Sequence, residues 1–382
     1  MNVNEMSKER KELLVMLSKI PEDELGKVKK VLVNKSANRT NNSFIIPKDV
    51  TEKYKRLKAE SNGIFGGKTD ADDAKWCSYI EKLSTLDYQV PNIPANASDK
   101  EIYRTVLSAC IDNNMPVDFC GKATSIILEY IRTGGQNKPV ILVGPPGSGK
   151  TEAFKIICEK ILDLKINFIP AAASRRGRGL FGAEPNYKGA DIGQLVNGLF
   201  TTGVLNPVIL VDEVEKVVNI KDDVTIEDEL LSVFNDKNRI VSDNFLDFPI
   251  SFKRSLWVFT CNNLEDLSEP FVDRCSIVEF HHTEEERMRK IITAYAEKEI
   301  ATYKDSLKLD EELLCNAIES LYCNDIFSIR KHQELFDEAK IKAYTEFLES
   351  DGENPILIDK RHYDKAIAEI ARNKPKTSKI GF

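Results

Sequence analysis

The run Val143-Gly144-Pro145-Pro146-Gly147-Ser148-Gly149-Lys150-Thr151 constrains the fold of this chain more than any other stretch. It fits G-x-x-x-x-G-K-[ST], a pattern whose glycines and lysine surround a phosphate group. Before it stands an apolar run, Pro139-Val140-Ile141-Leu142-Val143, which reads as a buried strand. After it comes Glu152-Ala153-Phe154-Lys155-Ile156-Ile157-Cys158, which reads as a helix. Strand, glycine-rich loop and helix start together make an anion site, because backbone N–H groups and the helix dipole point at one phosphate. Gly144, Gly147 and Gly149 let the backbone approach the phosphate oxygens with no Cβ in the way. Lys150 is placed to reach the β- and γ-phosphates of a nucleotide, and the Thr151 hydroxyl to ligate Mg²⁺. The bland alternative is a chance match in a glycine-containing loop, against which the flanking strand and helix argue.

The bulk numbers narrow the class. With 382 residues the chain has room for two or three domains, and 42% hydrophobic residues can fill real cores. A net charge of −7 argues against a general nucleic-acid coat or a membrane-surface protein. Eight cysteines stand singly and four histidines share no ligand spacing with them, so a zinc site is not expected. The cysteines read as reduced and buried, as in a cytoplasmic protein. Neither an apolar leader nor an apolar run of membrane-spanning length is found, so no signal peptide and no membrane span are expected.

Along the chain, residues 1–45 are charged and weakly helical, with Leu13, Leu14, Leu17 and Ile20 spaced for one helix face. They read as an arm or as a partner-docking segment. A short helix is expected over 46–61, a loop over 63–73, a helix over 76–86 and a linker over 91–97. From about 100 to 282 helices alternate with apolar strands at 139–143, 166–170, 207–212, 255–261 and 276–280. That alternation predicts an α/β fold with a parallel sheet flanked by helices. Residues 283–350 read as three helices with no strand between them, 355–359 as a short extended piece, and the stretch to about 372 as a helix.

A second constellation lies at Val208-Ile209-Leu210-Val211-Asp212-Glu213, an apolar strand ending in two carboxylates. In an open α/β sheet, ligands sit at the C-terminal strand edge. Asp212 is assigned to the Mg²⁺ shell and Glu213 to orienting and deprotonating the attacking water, on a strand expected to neighbour that of the phosphate loop. A strand that simply ends in a solvated acidic turn is the alternative. A third strand ends in Asn262-Asn263, whose amide can hydrogen-bond the water and the γ-phosphate or can be an ordinary turn.

These three strand ends, in this order, resemble the AAA+ ATPases, and more closely the ATPase part of the Lon family. Asp212-Glu213-Val214-Glu215-Lys216 is similar to Lon's D-E-I-D-K, and Tyr187-Lys188-Gly189-Ala190 to its Y-I-G-A. Pro270-Phe271-Val272-Asp273-Arg274 is similar to P-L-L-D-R, and Ser328-Ile329-Arg330 to G-V-R. Upstream, Ile46-Pro47-Lys48 to Leu57 and Tyr79-Ile80-Glu81-Lys82-Leu83 resemble the helices leading into Lon's ATPase. The similarity runs from about residue 46 to 372. It implies a P-loop NTPase domain of the AAA+ type followed by a small all-α lid. The domains expected are 1–97, an N-terminal helical segment and linker; 98–282, the nucleotide-binding domain; 283–372, the lid; and 373–382, a basic tail. It implies ATP and Mg²⁺ as cofactors. Asn262 becomes the sensor amide, Arg274 the finger that reaches a neighbouring subunit's γ-phosphate, and Arg330 the second sensor in the lid. Tyr187 and Lys188 fall in the substrate pore. A finger acting in trans implies a ring, a homo-hexamer.

The chain departs from Lon in three places. It stops after the lid, so no peptidase is expected of it. Val117-Asp118-Phe119 stands where Lon has an H-Y-G box near the adenine. The segment Ser174-Arg175-Arg176-Gly177-Arg178-Gly179-Leu180-Phe181-Gly182 is basic, and Lys188 follows the pore tyrosine. The leading expectation is an ATP-hydrolysing ring that remodels or unfolds a protein client without cutting it. The alternatives are a nucleic-acid motor or loader, with Arg175, Arg176, Arg178 and Lys188 lining a pore around phosphates, and an ATP-assembled regulatory ring that docks a separate effector chain. The last alternative has the end Ile380-Gly381-Phe382, similar to the I-G-F tripeptide with which Clp unfoldases dock their peptidase; a frayed terminus is its bland reading.

Overall fold

The computed structural model describes residues 44–62, 70–94, 96–135, 137–171, 179–185, 187, 189–217, 226–280, 285–303, 306–310, 312, 314–315, 328–350 and 355–373. The expectations for residues 1–43, for Arg175, Arg176, Arg178 and Lys188, and for the tail beyond 373 lie outside the described residues. The chain divides into two compact units. The first takes in Cys120–Val143, Thr151–Val278 and the described residues up to Cys110; the second takes in Ile111–Phe119, Gly144–Lys150 and the described residues from Glu279 onward.

In the first unit the strands are β1 (Val140–Val143), β2 (Ile166–Pro170), β3 (Val208–Asp212), β6 (Trp257–Cys261) and β7 (Ser276–Glu279). They form one sheet in the order β2-β3-β6-β1-β7, and the β1–β6, β3–β6 and β2–β3 pairs are parallel. Val140, Ile141, Leu142, Val208, Ile209, Leu210, Val211, Trp257, Val258 and Phe259 are fully buried. Strands covered on both faces read as unbroken apolar runs, which is why the sequence marks these so clearly. Each such side chain contributes roughly 1.5–3 kcal/mol by leaving water. One expectation needs correction: β3 does not neighbour β1, because β6 lies between them. Nothing in a run of apolar residues encodes which strand it will pair with.

Helices α1 (Lys48–Asn62), α2 (Ala71–Ser84), α3 (Asp99–Asp112), α4 (Val117–Thr133), α5 (Lys150–Lys155), α6 (Gln194–Thr202), α7 (Ile226–Asn235) and α8 (Glu269–Asp273) accompany the sheet. Helix α5 runs on as a π-helical turn, Ile156–Ile161. Helix α2 starts within the stretch read as a loop, because the Asp70 carboxylate accepts the Asp72 amide at 3.5 Å and caps it. The described helices of the N-terminal segment share the core of the sheet unit. Val50, Leu57, Trp76, Ile80 and Leu83 belong to the same buried cluster as Ile169 and Phe259. Trp76 Nε1 donates to the Leu246 carbonyl at 2.9 Å, and the Tyr79 ring stacks on Phe200 at 5.3 Å.

An antiparallel hairpin, β4 (Ile240–Asp243) and β5 (Phe248–Ser251), was not expected from the sequence. Pro249 demotes the second run, and the connecting residues lack the Asn-Gly or Asp-Gly signal. The turn is held instead by Asp243, whose carboxylate accepts the amides of Phe245 and Leu246 at 3.0 and 3.1 Å. Burial pushes the Asp243 carboxyl up, while those amides and that of Gly193 draw it down.

The second unit is built on α9 (Glu285–Ile300), α10 (Ile329–Glu349) and α11 (Lys360–Asn373). Met288, Ile292, Ala296, Phe336, Ala339, Ala343 and Ala366 form its core. Within it Lys340 bridges Glu299 at 2.7 Å and Asp337 at 2.9 Å. The expected absence of any strand between 283 and 350 is overturned: β8 (Leu307–Leu309) pairs in parallel with β9 (Ile356–Ile358). Three residues are too short a run to register as a strand until their distant partner is known. No helix among the described residues is long and apolar enough to cross a membrane.

Candidate functional site

The phosphate-type loop leaves the C-terminal end of β1 and re-enters helix at Lys150. Gly147 has φ +74°, and a Cβ there would lie 2.4 Å from Ser328 Oγ, so only glycine fits. The Gly147 carbonyl accepts the Arg330 amide at 3.4 Å, which seats the first turn of α10 on the loop. Lys150 is 7% exposed, and its ammonium donates to the carbonyls of Gly144 at 2.6 Å and Pro145 at 3.1 Å. The Ser148 hydroxyl is buried with no hydrogen-bond partner among the described residues. A buried cation turned into its own loop, beside an orphaned hydroxyl, fits a loop built to surround an anion.

In the sheet unit β3 delivers Asp212 and Glu213. Asp212 Oδ1 accepts the Thr151 hydroxyl at 2.6 Å and the Thr260 hydroxyl at 2.7 Å. Thr260 Oγ1 also accepts the Glu213 amide at 2.9 Å. Glu213 needs that support, because its φ of +56° lies in the left-handed region, which costs a non-glycine residue about 1–2 kcal/mol. The twist turns Glu213 off the strand line at the sheet edge. Its carboxylate meets Lys216 Nζ at 2.6 Å, a partly exposed pair of small energetic weight. Asn262, at the end of β6, donates its amide N–H and its side-chain Nδ2 to Glu215 Oε1 at 3.1 and 2.7 Å.

The third group is Arg274, the residue that ends α8. Its Nε and Nη2 donate to Asn235 Oδ1 at 3.1 and 3.0 Å, and its Nη1 to the Pro270 carbonyl at 2.7 Å. Helix α7 therefore holds α8 at both ends: Asn235 at its C-terminus grips Arg274, and Glu227 near its N-terminus accepts the Ser268 amide at 2.9 Å. Cys275 follows Arg274, and burial pushes its thiol up to about 12. Tyr187 is 67% exposed on a turn closed by its amide to the Glu184 carbonyl at 3.1 Å. In the second unit Phe119, from the Val117-Asp118-Phe119 stretch, is fully buried edge-on against Phe280 at 4.8 Å.

The structure thus joins Thr151 to Asp212 directly, Asp212 to Glu213 through Thr260, and Asn262 to Glu215. It joins the loop 144–150 to the backbone of Arg330, whose side chain is exposed. Arg274 and Tyr187 sit apart from these networks. Sequence reading gave no role to Thr260, Glu215 or Asn235. The one legible signal was Thr260 itself, a hydroxyl in an otherwise apolar strand. The oxygen-rich pair of Thr151 and Asp212 suits a hard cation such as Mg²⁺.

Comparison with known proteins agrees with this geometry. Residues 140–282 match the family model "ATPase family associated with various cellular activities (AAA)". The chain is 27% identical over 269 residues to a mitochondrial Lon protease homolog of Yarrowia lipolytica, covering 66% of this chain and 23% of that protein. It is 32% identical over 208 residues to the Lon protease of Clostridioides difficile, covering 52% and 26%. Against the Lon protease of Malacoplasma penetrans the figures are 26% over 274 residues, 69% and 34%. The chain spans between about a quarter and a third of the length of these relatives.

Proposed function

From an AAA-family ATPase domain at residues 140–282 that resembles the ATPase module of Lon, we propose that this chain is an ATP-driven ring that remodels or unfolds a protein client. The observation that carries the reading is the 2.6 Å bond between the loop hydroxyl of Thr151 and Asp212 Oδ1. Such a bond pre-sets two oxygens that would hold Mg²⁺ against the β- and γ-phosphates. The metal supplies charge neutralisation on the phosphoryl oxygens. Lys150 exchanges its two loop carbonyls for phosphate oxygens when ATP binds. Glu213 takes the proton of the attacking water, and Asn262 orients that water. Arg330 contacts the nucleotide from the first turn of α10, and Arg274 stabilises the transferring phosphoryl group of a neighbouring subunit. In this reading the chain does not cleave its client.

Tyr187 fits a pore contact because two-thirds of its surface is exposed, far more than a core tyrosine shows. An aromatic side chain can grip a threaded polypeptide by stacking and apolar contact, worth about 1 kcal/mol per aromatic partner. The nucleic-acid alternative rests on Arg175, Arg176, Arg178 and Lys188, outside the described residues. One experiment separates these readings: ATP turnover with and without an unfolded protein or DNA, in wild type, Glu213→Gln and Tyr187→Ala. Glu213→Gln is expected to bind ATP and to lose at least about 10²-fold in turnover, since an amide cannot accept the water's proton. Tyr187→Ala is expected to keep basal turnover and lose stimulation by unfolded protein. Stimulation by DNA alone would replace the protein client with nucleic acid.

A further inference from the structure

We propose that Glu215 is a positioning residue for ATP hydrolysis: it fixes which face of the Asn262 amide meets the attacking water. The inference rests on the ATPase reading above. Glu215 lies on the short 3₁₀ turn Val214–Val217 that follows Glu213. Its Oε1 takes both donors of Asn262, the backbone N–H at 3.1 Å and Nδ2 at 2.7 Å. An ionised carboxylate only accepts hydrogen bonds, so the amide nitrogen must face Glu215 and the carbonyl Oδ1 must face away from it. The orientation of Asn262 is therefore set by chemistry.

A carbonyl oxygen presented to water accepts a hydrogen bond from it and leaves the water's lone pair free for phosphorus, whereas an NH₂ presented there would compete for that lone pair. Only the first orientation assists attack on phosphorus. The other oxygen of Glu215, Oε2, is buried and has no hydrogen-bond partner among the described residues. The two bonds from Asn262 are then what compensates this carboxylate for leaving water. A buried acceptor with half its capacity unused is a poor device for stability and a good one for holding a single amide. The same turn carries Glu213, whose carbonyl accepts the Lys216 amide at 2.9 Å. Glu215 thus links the end of β6 to the turn that carries the base.

The test is steady-state ATP turnover and ATP affinity in Glu215→Ala, Glu215→Gln, Asn262→Ala and the double variant Glu215→Ala/Asn262→Ala, with Glu213→Gln alongside. Glu215→Ala is expected to lose about 10-fold or more in kcat, with KM within about 3-fold of wild type. Glu215→Gln should stay within about 3-fold, because its side-chain oxygen still accepts both donors. The double variant should match Asn262→Ala within about 2-fold, since the two residues act as one unit. Wild-type kcat in Glu215→Ala, a rise in KM alone, or a double variant showing the product of the two single losses would each overturn the proposal. If Glu215→Ala does not fold, Asn262→Asp replaces it. That change sets two carboxylates face to face and should depress kcat, and adding Glu215→Gln should restore it by supplying a donor. Failure of that rescue overturns the proposal. Absence of ATP turnover in the wild-type protein would overturn the ATPase reading and this inference with it; loss in Glu213→Gln with none in Glu215→Ala would overturn the inference alone, and full turnover in Glu213→Gln would remove Glu213 as the base.

Discussion

Thr260 is a hydroxyl among apolar strand residues, and it joins two carboxylates that sequence reading treated separately. It donates to Asp212 and accepts from the amide of Glu213, a residue held in the left-handed region. Thr260→Val keeps the shape and removes both bonds. The Glu213 amide then loses its acceptor, at a cost of about 1–3 kcal/mol, and Glu213 loses the contact that holds its strained φ. The expected outcome is a lower melting temperature and a turnover loss of at least about 10-fold, read by calorimetry and a phosphate-release assay. Thr260→Ser should retain both properties, because the hydroxyl is what acts. At this scale the sequence marks residue types but not their partners. Lys150, Thr151, Asp212, Glu213 and Asn262 are singled out by local pattern, because a glycine-rich turn and acids at a strand end are local facts. The bonds from Thr260 to Asp212 and from Glu215 to Asn262 span 48 and 47 residues, and no local pattern carries them.

Among the elements, the five strands of the sheet were legible to within a residue or two, because burial on both faces demands continuous apolar runs. Their lateral order was not. Placing β6 between β1 and β3 puts Asn262 between the strand ends that carry the loop and the acids, and that order follows from crossovers invisible in any one segment. The β4–β5 hairpin and the β8–β9 ladder were missed for related reasons, a proline in one and brevity in the other. The most consequential element outside the sheet is α7. It anchors the short helix α8 at Ser268 through Glu227 and at Arg274 through Asn235. A five-residue helix has little stability of its own, so its end residue points where these contacts send it. Asn235→Ala releases two of the guanidinium's three described bonds. If Arg274 is a finger, turnover should fall about 10-fold with ATP affinity unchanged, measured by fluorescent nucleotide binding beside steady-state hydrolysis. Loss of affinity instead would place Asn235 and Arg274 in the structure of the subunit's own nucleotide site.

For the molecule as a whole, the question is whether one chain suffices for hydrolysis. Arg274 is partly exposed, and within its own subunit it binds only Asn235 and Pro270 among the described residues. A guanidinium held rigidly at a surface, with no carboxylate among these partners, is suited to an anion on another chain. If so, Arg274→Ala should lose about 10³-fold in turnover, the lower end of a finger's contribution, while still binding ATP. Lys150→Ala should be inert for a different reason, having lost the cation that meets the β- and γ-phosphates, yet its own finger is intact. Mixing the two inactive variants decides the matter. In a head-to-tail ring assembled at random from equal parts, half the sites keep Lys150 and half of those face an intact Arg274, so about a quarter of wild-type turnover should return. Recovery should depend on protein concentration, because it requires assembly. A finger acting within its own subunit predicts no recovery at any ratio, since neither variant then contains a complete site. Light scattering on the same mixtures in ATP separates that outcome from simple failure to assemble. Zero recovery from an intact ring would remove Arg274 from the trans role and, with it, the reason to require a ring for hydrolysis.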